Sequence, residues 1–125
     1  MDDRREVMSV YLTLPPPIST NAIWRSFARG KRVTTIKSQK YRDWITVAGW
    51  ELESQNPGKI VGSYGMTIKV PRKSRIDLDN AIKAIGDLLQ AHGVVGNDRN
   101  CSQITISKGV DDQTHVWLIR SQSED

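Results

Sequence analysis

The chain of 125 residues holds a single cysteine, Cys101, so no disulfide can form within it. A core without cross-links fits a reducing compartment, and the cytosol is the default expectation. No apolar run approaches the roughly 18 residues that span a bilayer. The start, Met1-Asp2-Asp3-Arg4-Arg5-Glu6, is charged where a secretory signal would be apolar. There is no glycine-rich phosphate loop, no H-E-x-x-H pair and no paired-cysteine zinc spacing, which removes those nucleotide and zinc chemistries. Both histidines have plain settings: His92 closes a helix, where a cation is favoured, and His115 sits in a strand beside Trp117. No nucleophile–base pair stands out.

Acid is missing from two stretches. Between Arg25 and Arg42 lie Arg25, Arg29, Lys31, Arg32, Lys37, Lys40 and Arg42 without one carboxylate. Lys69, Arg72, Lys73 and Arg75 form the second such run. Together they hold well over half of the 18 lysines and arginines in a chain of net charge +4. Positive charge gathered in blocks is the pattern of a surface that meets a polyanion, although the same residues also suit a merely solvated face.

The length predicts one domain, 1–125, able to bury a core. Val7 to Leu14 alternates and stops at Pro15-Pro16-Pro17, as a strand does when its next residues cannot donate to a ladder. Residues 15–38 then read as a long basic loop bearing Trp24 and Phe27. Tyr41, Trp44, Ile45, Ala48 and Leu52 fall at helical spacing, predicting a helix capped by Ser38 and ended by Asn56-Pro57-Gly58. Residues 60–70 read as a strand, with Tyr64, Met66, Ile68 and Val70 on one face. A second helix is predicted over about 79–92, with Leu78, Ile82, Ile85 and Leu89 inward and Gly93 closing it. Two last strands follow, with Ile104 and Ile106, then Val116 and Leu118, inward. A turn at Gly109-Val110-Asp111-Asp112 would join them as a hairpin. The order β-α-β-α-β-β predicts an α/β (α+β) fold with a small mixed four-stranded sheet. Trp44, Trp50 and Trp117 suit core positions. Trp24, beside Arg25, suits either an anchor for the loop or a platform that stacks on unpaired bases.

The chemistry concentrates in Arg72-Lys73-Ser74-Arg75-Ile76-Asp77-Leu78-Asp79-Asn80, with Lys83 four residues past the second aspartate. Residues two apart on a helix do not face each other. If Asp77 and Asp79 act together, Asp77 must lie before the helix in extended backbone. Asp79, Lys83 and Asp87 are spaced i, i+4, i+8 and share the exposed face. Asp98 follows in a turn-prone segment able to double back. Clustered carboxylates beside an ammonium can hold a divalent cation against a phosphate. The plainer alternative is a capped helix start: Asp77 as N-cap, Asp79 on the helix dipole, Lys83 paired with Asp79 or Asp87, and Asp98 in an ordinary turn.

The chain resembles the RusA family of Holliday junction resolvases, small nucleases of bacteria and their prophages. The likeness is carried by Leu14-Pro15-Pro16-Pro17-Ile18-Ser19-Thr20-Asn21 with Trp24-Arg25, by Tyr41-Arg42, by Arg75-Ile76-Asp77-Leu78-Asp79-Asn80 with Lys83, and by the turn from Gly93 to Asp98. The resemblance implies Asp77, Asp79 and Asp98 as metal-binding catalytic carboxylates and Lys83 as the catalytic lysine. It implies magnesium, replaceable by manganese, as the cofactor, a homodimer, no small-molecule cofactor and no membrane, and paired nicks in four-way DNA. Two departures stand out. Asn97 replaces the first of two acids usual in the turn, which bears on metal affinity, and Ile18 interrupts the proline run.

On this reading Arg25, Arg29, Lys31, Arg32, Lys40, Arg72, Lys73 and Arg75 would grip DNA. The rivals are a DNA-binding module of the same fold that does not cut, and a less selective metal nuclease.

Overall fold

The computed structural model describes residues 4–17, 24–29, 32–37 and 39–121, and in 24–29 and 32–37 it describes the backbone. The elements are β1 (Ser9–Leu14), β2 (Trp24–Arg29), β3 (Arg32–Lys37), α1 (Gln39–Ser54), β4 (Tyr64–Val70), α2 (Leu78–Ala91), a 3-10 turn (Asp98–Asn100), β5 (Cys101–Lys108) and β6 (Thr114–Arg120).

One four-stranded sheet runs in the order β1-β6-β4-β5. β6 pairs antiparallel with β1 on one side and with β4 on the other, and β4 pairs parallel with β5. Val10, Leu118, Met66 and Ile104 lie in one cross-strand row, and Leu12, Val116, Ile68 and Ile106 in the next. Paired residues share a face of the sheet, so these rows floor the core. α1 covers them with Tyr41, Trp44, Ala48 and Leu52, and α2 with Ala81, Ala84, Ile85, Leu88 and Leu89. Trp44 donates its indole N–H to the Pro15 carbonyl at 3.2 Å, which ties α1 to the end of β1.

Three expectations need correction. The basic loop of 15–38 contains the antiparallel pair β2–β3. Its strands are polar and carry no clean alternation, so periodicity gave no signal there. Ser38 lies outside the described residues.

β5 and β6 do not form a hairpin, because β4 lies between them. The Gly109 N–H bonds to the Val70 carbonyl at 2.8 Å and the Arg72 N–H to the Asp111 carbonyl at 2.9 Å, so the turn crosses the end of β4 instead of reversing beside β5.

Trp50 and Trp117 are 71% and 37% exposed rather than core. With Val116 and Leu118 inward, the period of two forces Trp117 to the other face. That face, away from the helices, also shows Tyr11 and Ile119, and Tyr11, His115 and Trp117 stack there with ring centroids 5.2–5.9 Å apart.

A polar clasp holds the N-terminal segment. Arg4 donates to the His92 carbonyl at 2.9 Å, to the Pro57 carbonyl at 3.1 Å and to Glu53 Oε2 at 2.6 Å, and His92 Nδ1 lies 2.7 Å from the same oxygen. Gly58 allows the close approach, since a Cβ there would stand 2.6 Å from the Arg5 carbonyl oxygen. The C-terminal ends of α1 and α2 are thus tied to the N-terminal segment.

Candidate active site

Asp77 stands just before α2 in extended backbone, φ −63° and ψ 135°. Its carbonyl accepts from the amides of Asn80 at 3.0 Å and Ala81 at 3.1 Å, so the main chain makes the cap. Its carboxylate makes no N-cap bond to the helix backbone and receives the Asn80 side-chain amide at 3.4 Å. The capping alternative therefore holds for the backbone of Asp77 and not for its side chain. Upstream, the Ser74 amide bonds to the Pro71 carbonyl at 3.0 Å, a tight turn that leaves Arg72, Lys73 and Arg75 exposed.

Beside α2 lies a pocket of about 240 Å³. α2 lends it Asp79, Ile82, Lys83, Gly86 and Asp87, the sheet lends Tyr64, Met66, Cys101 and Ile104, and the 3-10 turn lends Asp98. The pocket lies where α2 meets the β4–β5 edge of the sheet. Ile104 faces the helix side, as expected, yet stays 41% exposed. Ile82 is likewise only half-buried and flanks Lys83 instead of lying opposite it. At about 100° per residue, Asp79, Lys83 and Gly86 fall within a sector of roughly 60°, so one stripe of α2 forms the wall. Gly86 keeps its middle open: a Cβ there would meet nothing within 4 Å.

Asp98 reaches the pocket through a fixed connection. Gly93 takes φ 75°, its amide bonds to the Gln90 carbonyl at 3.2 Å, and the Val94 amide to the Leu89 carbonyl at 3.0 Å. This is the paired closure that glycine permits after a helix. Val94 and Val95 are buried, and the Ile60 amide bonds to the Val94 carbonyl at 2.8 Å. The turn is then set by Asn97, whose side chain accepts from the Arg99 amide at 2.9 Å. The amide of Asp98 donates to Gln90 Oε1 at 3.1 Å. Asp98 is thus anchored toward the C-terminal half of α2 rather than at the helix start, while sharing the pocket with Asp79.

The floor is hydrophobic and holds its protons. Burial, and then the negative charge that Cys101 and Asp98 can carry, pushes the Tyr64 hydroxyl up to about 12. Burial likewise raises the Cys101 thiol, so it stays protonated at neutral pH and offers no nucleophile. Nucleophile and charge must come from the wall.

Asp79, Lys83 and Asp98 therefore meet at one pocket, and Asp77 does not line it. Among the described residues, no three of His, Cys, Asp and Glu stand together closely enough to hold a metal ion. The donors that do face the pocket are carboxylate oxygens, the type a hard divalent cation takes. Asp87, Gly86 and Gln90 carry no signal as isolated residues; continuing the helix arithmetic from Asp79 places all three on or beside the same stripe. Of the expected DNA-binding residues, Lys40, Arg72, Lys73 and Arg75 are exposed. Lys31 and the side chains of Trp24, Arg25, Arg29 and Arg32 lie outside the described part.

The profile of the family described as Endodeoxyribonuclease RusA matches residues 14–118. A relative, the Crossover junction endodeoxyribonuclease RusA of Aquifex aeolicus (strain VF5), is 28% identical over 115 residues, covering 89% of this chain and 87% of its own. The matched span runs from the end of β1 into β6 and includes every residue of the pocket, so this chain belongs to the RusA endodeoxyribonuclease family.

Proposed function

We propose that the chain resolves four-way (Holliday) DNA junctions by paired nicks, as a homodimer that uses magnesium, with manganese able to replace it. The observation that carries this reading is the meeting of Asp79, Lys83 and Asp98 at one pocket, beside the exposed cations of the preceding turn.

In phosphodiester hydrolysis, water adds to phosphorus and a sugar oxygen leaves. Asp79 and Asp98 would hold the cation from two sides of the pocket, and Asp77, which does not line it, would join only by turning in from the helix mouth. When bound, that cation would lower the pKa of a water and neutralise phosphate oxygens. Lys83 would set its ammonium against the charge that grows on the phosphate. Arg72, Lys73 and Arg75, with Arg25, Arg29, Lys31, Arg32 and Lys40, would hold the flanking backbone, and Trp24 would stack on an unpaired base.

Paired nicks in opposing strands need two active sites, hence two copies. Support for the second copy comes from the open face of the sheet, where Tyr11, Trp117 and Ile119 are exposed among residues of little charge. Such a face can meet its own image without repulsion, as a two-fold interface requires. No helix among the described residues is long and apolar enough to cross a membrane. A place in the cytoplasm, where bacterial DNA lies, belongs to the same proposal.

The test is a labelled four-way junction incubated with magnesium or with EDTA. Symmetric nicks that need the metal, and that vanish in Asp79→Asn while binding persists, are expected. Binding without cutting at any divalent metal would replace the enzyme with a junction-binding module. Equal cutting of flaps and plain duplex would replace it with a less selective nuclease.

A further inference from the structure

Asp98 sits on an exposed turn, and the bonds within that turn shape it without aiming it. The Asn97 side chain accepts from the Arg99 amide, and the Asn100 amide bonds to the Asn97 carbonyl at 3.0 Å. Both belong to the turn alone. The hydrogen bond that crosses from the turn to the exposed stripe of α2 runs from the Asp98 amide to Gln90 Oε1, at 3.1 Å. Gln90 lies eleven residues past Asp79 and seven past Lys83. Those steps bring it within roughly 40° of both around the helix axis. One stripe therefore carries Asp79, Lys83 and the acceptor that receives Asp98.

We propose that Gln90 is a positioning residue that fixes Asp98 over the pocket in register with Asp79 and Lys83. This rests on reading Asp98 as part of the active site. The chemistry explains the residue type. An amide at the start of a 3-10 turn has no partner inside it, and the carbonyl of a glutamine reaches it from α2 without adding charge beside the aspartates. A side chain that holds a ligand-bearing group typically shifts metal affinity or activity about 10–100-fold when lost.

The test uses the full chain with Gln90→Met, which keeps length and loses the acceptor, Gln90→Glu, which keeps an acceptor, and Asp98→Asn. Three readouts are taken: Mn²⁺ binding without DNA, exchange of the Asp98 amide, and junction cleavage split into kcat and KM.

Gln90→Met should weaken Mn²⁺ binding and lower kcat about tenfold or more, expose the Asp98 amide to exchange, and leave KM within about twofold. Gln90→Glu should restore protection of the Asp98 amide in full, and Mn²⁺ binding and kcat in part, because of its added charge. A purely structural role would instead lower the melting temperature without this split and without recovery. If Gln90→Met binds Mn²⁺ and cuts like the parent, or Gln90→Glu is as poor as Gln90→Met, the role is overturned. Asp98→Asn separates the two readings. Loss of cutting there with normal Gln90→Met discards Gln90 alone; full cutting by Asp98→Asn discards the site, and this role with it.

Discussion

Lys83 Nζ stands 3.9 Å from Asp87 Oδ2 one helical turn on. That is too long for a hydrogen bond, and both groups are exposed. The ammonium is therefore not locked to its neighbour and can swing to an incoming phosphate. Asp87→Asn should change stability by less than about 0.5 kcal/mol. Lys83→Ala should lower kcat for junction cleavage by about 100-fold or more with little change in KM, and by more than Asp87→Asn does. Single-turnover cleavage and urea unfolding check both.

Gly86 interrupts a helix interior where a Cβ would touch nothing. Glycine costs about 1 kcal/mol there relative to alanine. Gly86→Ala should therefore raise stability by up to about 1 kcal/mol, read as a higher melting temperature. Gly86→Leu should fill the pocket and abolish cutting while the fold persists, as circular dichroism would show.

Glu53 is held below its ordinary value of 4.5, first by the hydrogen bond with His92 and then by that with Arg4. A carboxylate whose folded value is lowered stabilises the fold above its unfolded pKa and loses that contribution as pH falls through the folded value. Glu53→Gln should thus flatten the fall in stability below pH 4.5. Arg4→Ala, which strands two main-chain carbonyls and Glu53, should cost about 1–3 kcal/mol at neutral pH. Denaturant midpoints between pH 6 and pH 3 give both results.

Trp117 and Ile119 lie on the sheet face that the helices leave open. Trp117→Lys with Ile119→Lys should place two like charges against their own images across a two-fold interface. If the proposed dimer forms through this face, sedimentation should show a monomer for the variant and a dimer for the parent, with junction nicks no longer paired. An unchanged dimer would move the interface elsewhere.

Lys73 and Arg75 flank the aspartates on an exposed turn. If each neutralises one phosphate, replacing either by glutamine should reduce the slope of log affinity against log salt by about 0.9. Binding should weaken alike for every junction sequence, because phosphate contacts carry no base information. Fluorescence titrations at several salt concentrations measure this.

The local grammar of the chain was largely legible. Alternation marks β1 and β4, because one face of each is buried and the other is not. Of Leu78, Ile82, Ile85 and Leu89, whose spacing predicts the inner face of α2, Ile85 and Leu89 are buried and Leu78 and Ile82 half-buried. Asp77 does lie in extended backbone before the helix, as joint action with Asp79 would require, although it does not line the pocket. The polar strands β2 and β3 escaped, since no buried face imposed a period on them.

What residues determine with their near neighbours, the sequence determined by itself: the strands with one buried side, both helices, the glycine stop, and the stripe that holds Asp79 and Lys83. Pairing between distant strands was decided by the tertiary structure. A turn at Gly109 is compatible with a hairpin, and only the insertion of β4 between β5 and β6 rules it out. That insertion makes β5 an edge strand, whose Cys101 and Ile104 line the pocket opposite α2 and whose Ile104 stays largely uncovered. The closure at Gly93 and the turn after it likewise bring the Asp98 amide to Gln90 rather than to the helix start. Side-chain period is a property of one segment, whereas a pocket is a property of which segments remain uncovered after all have packed.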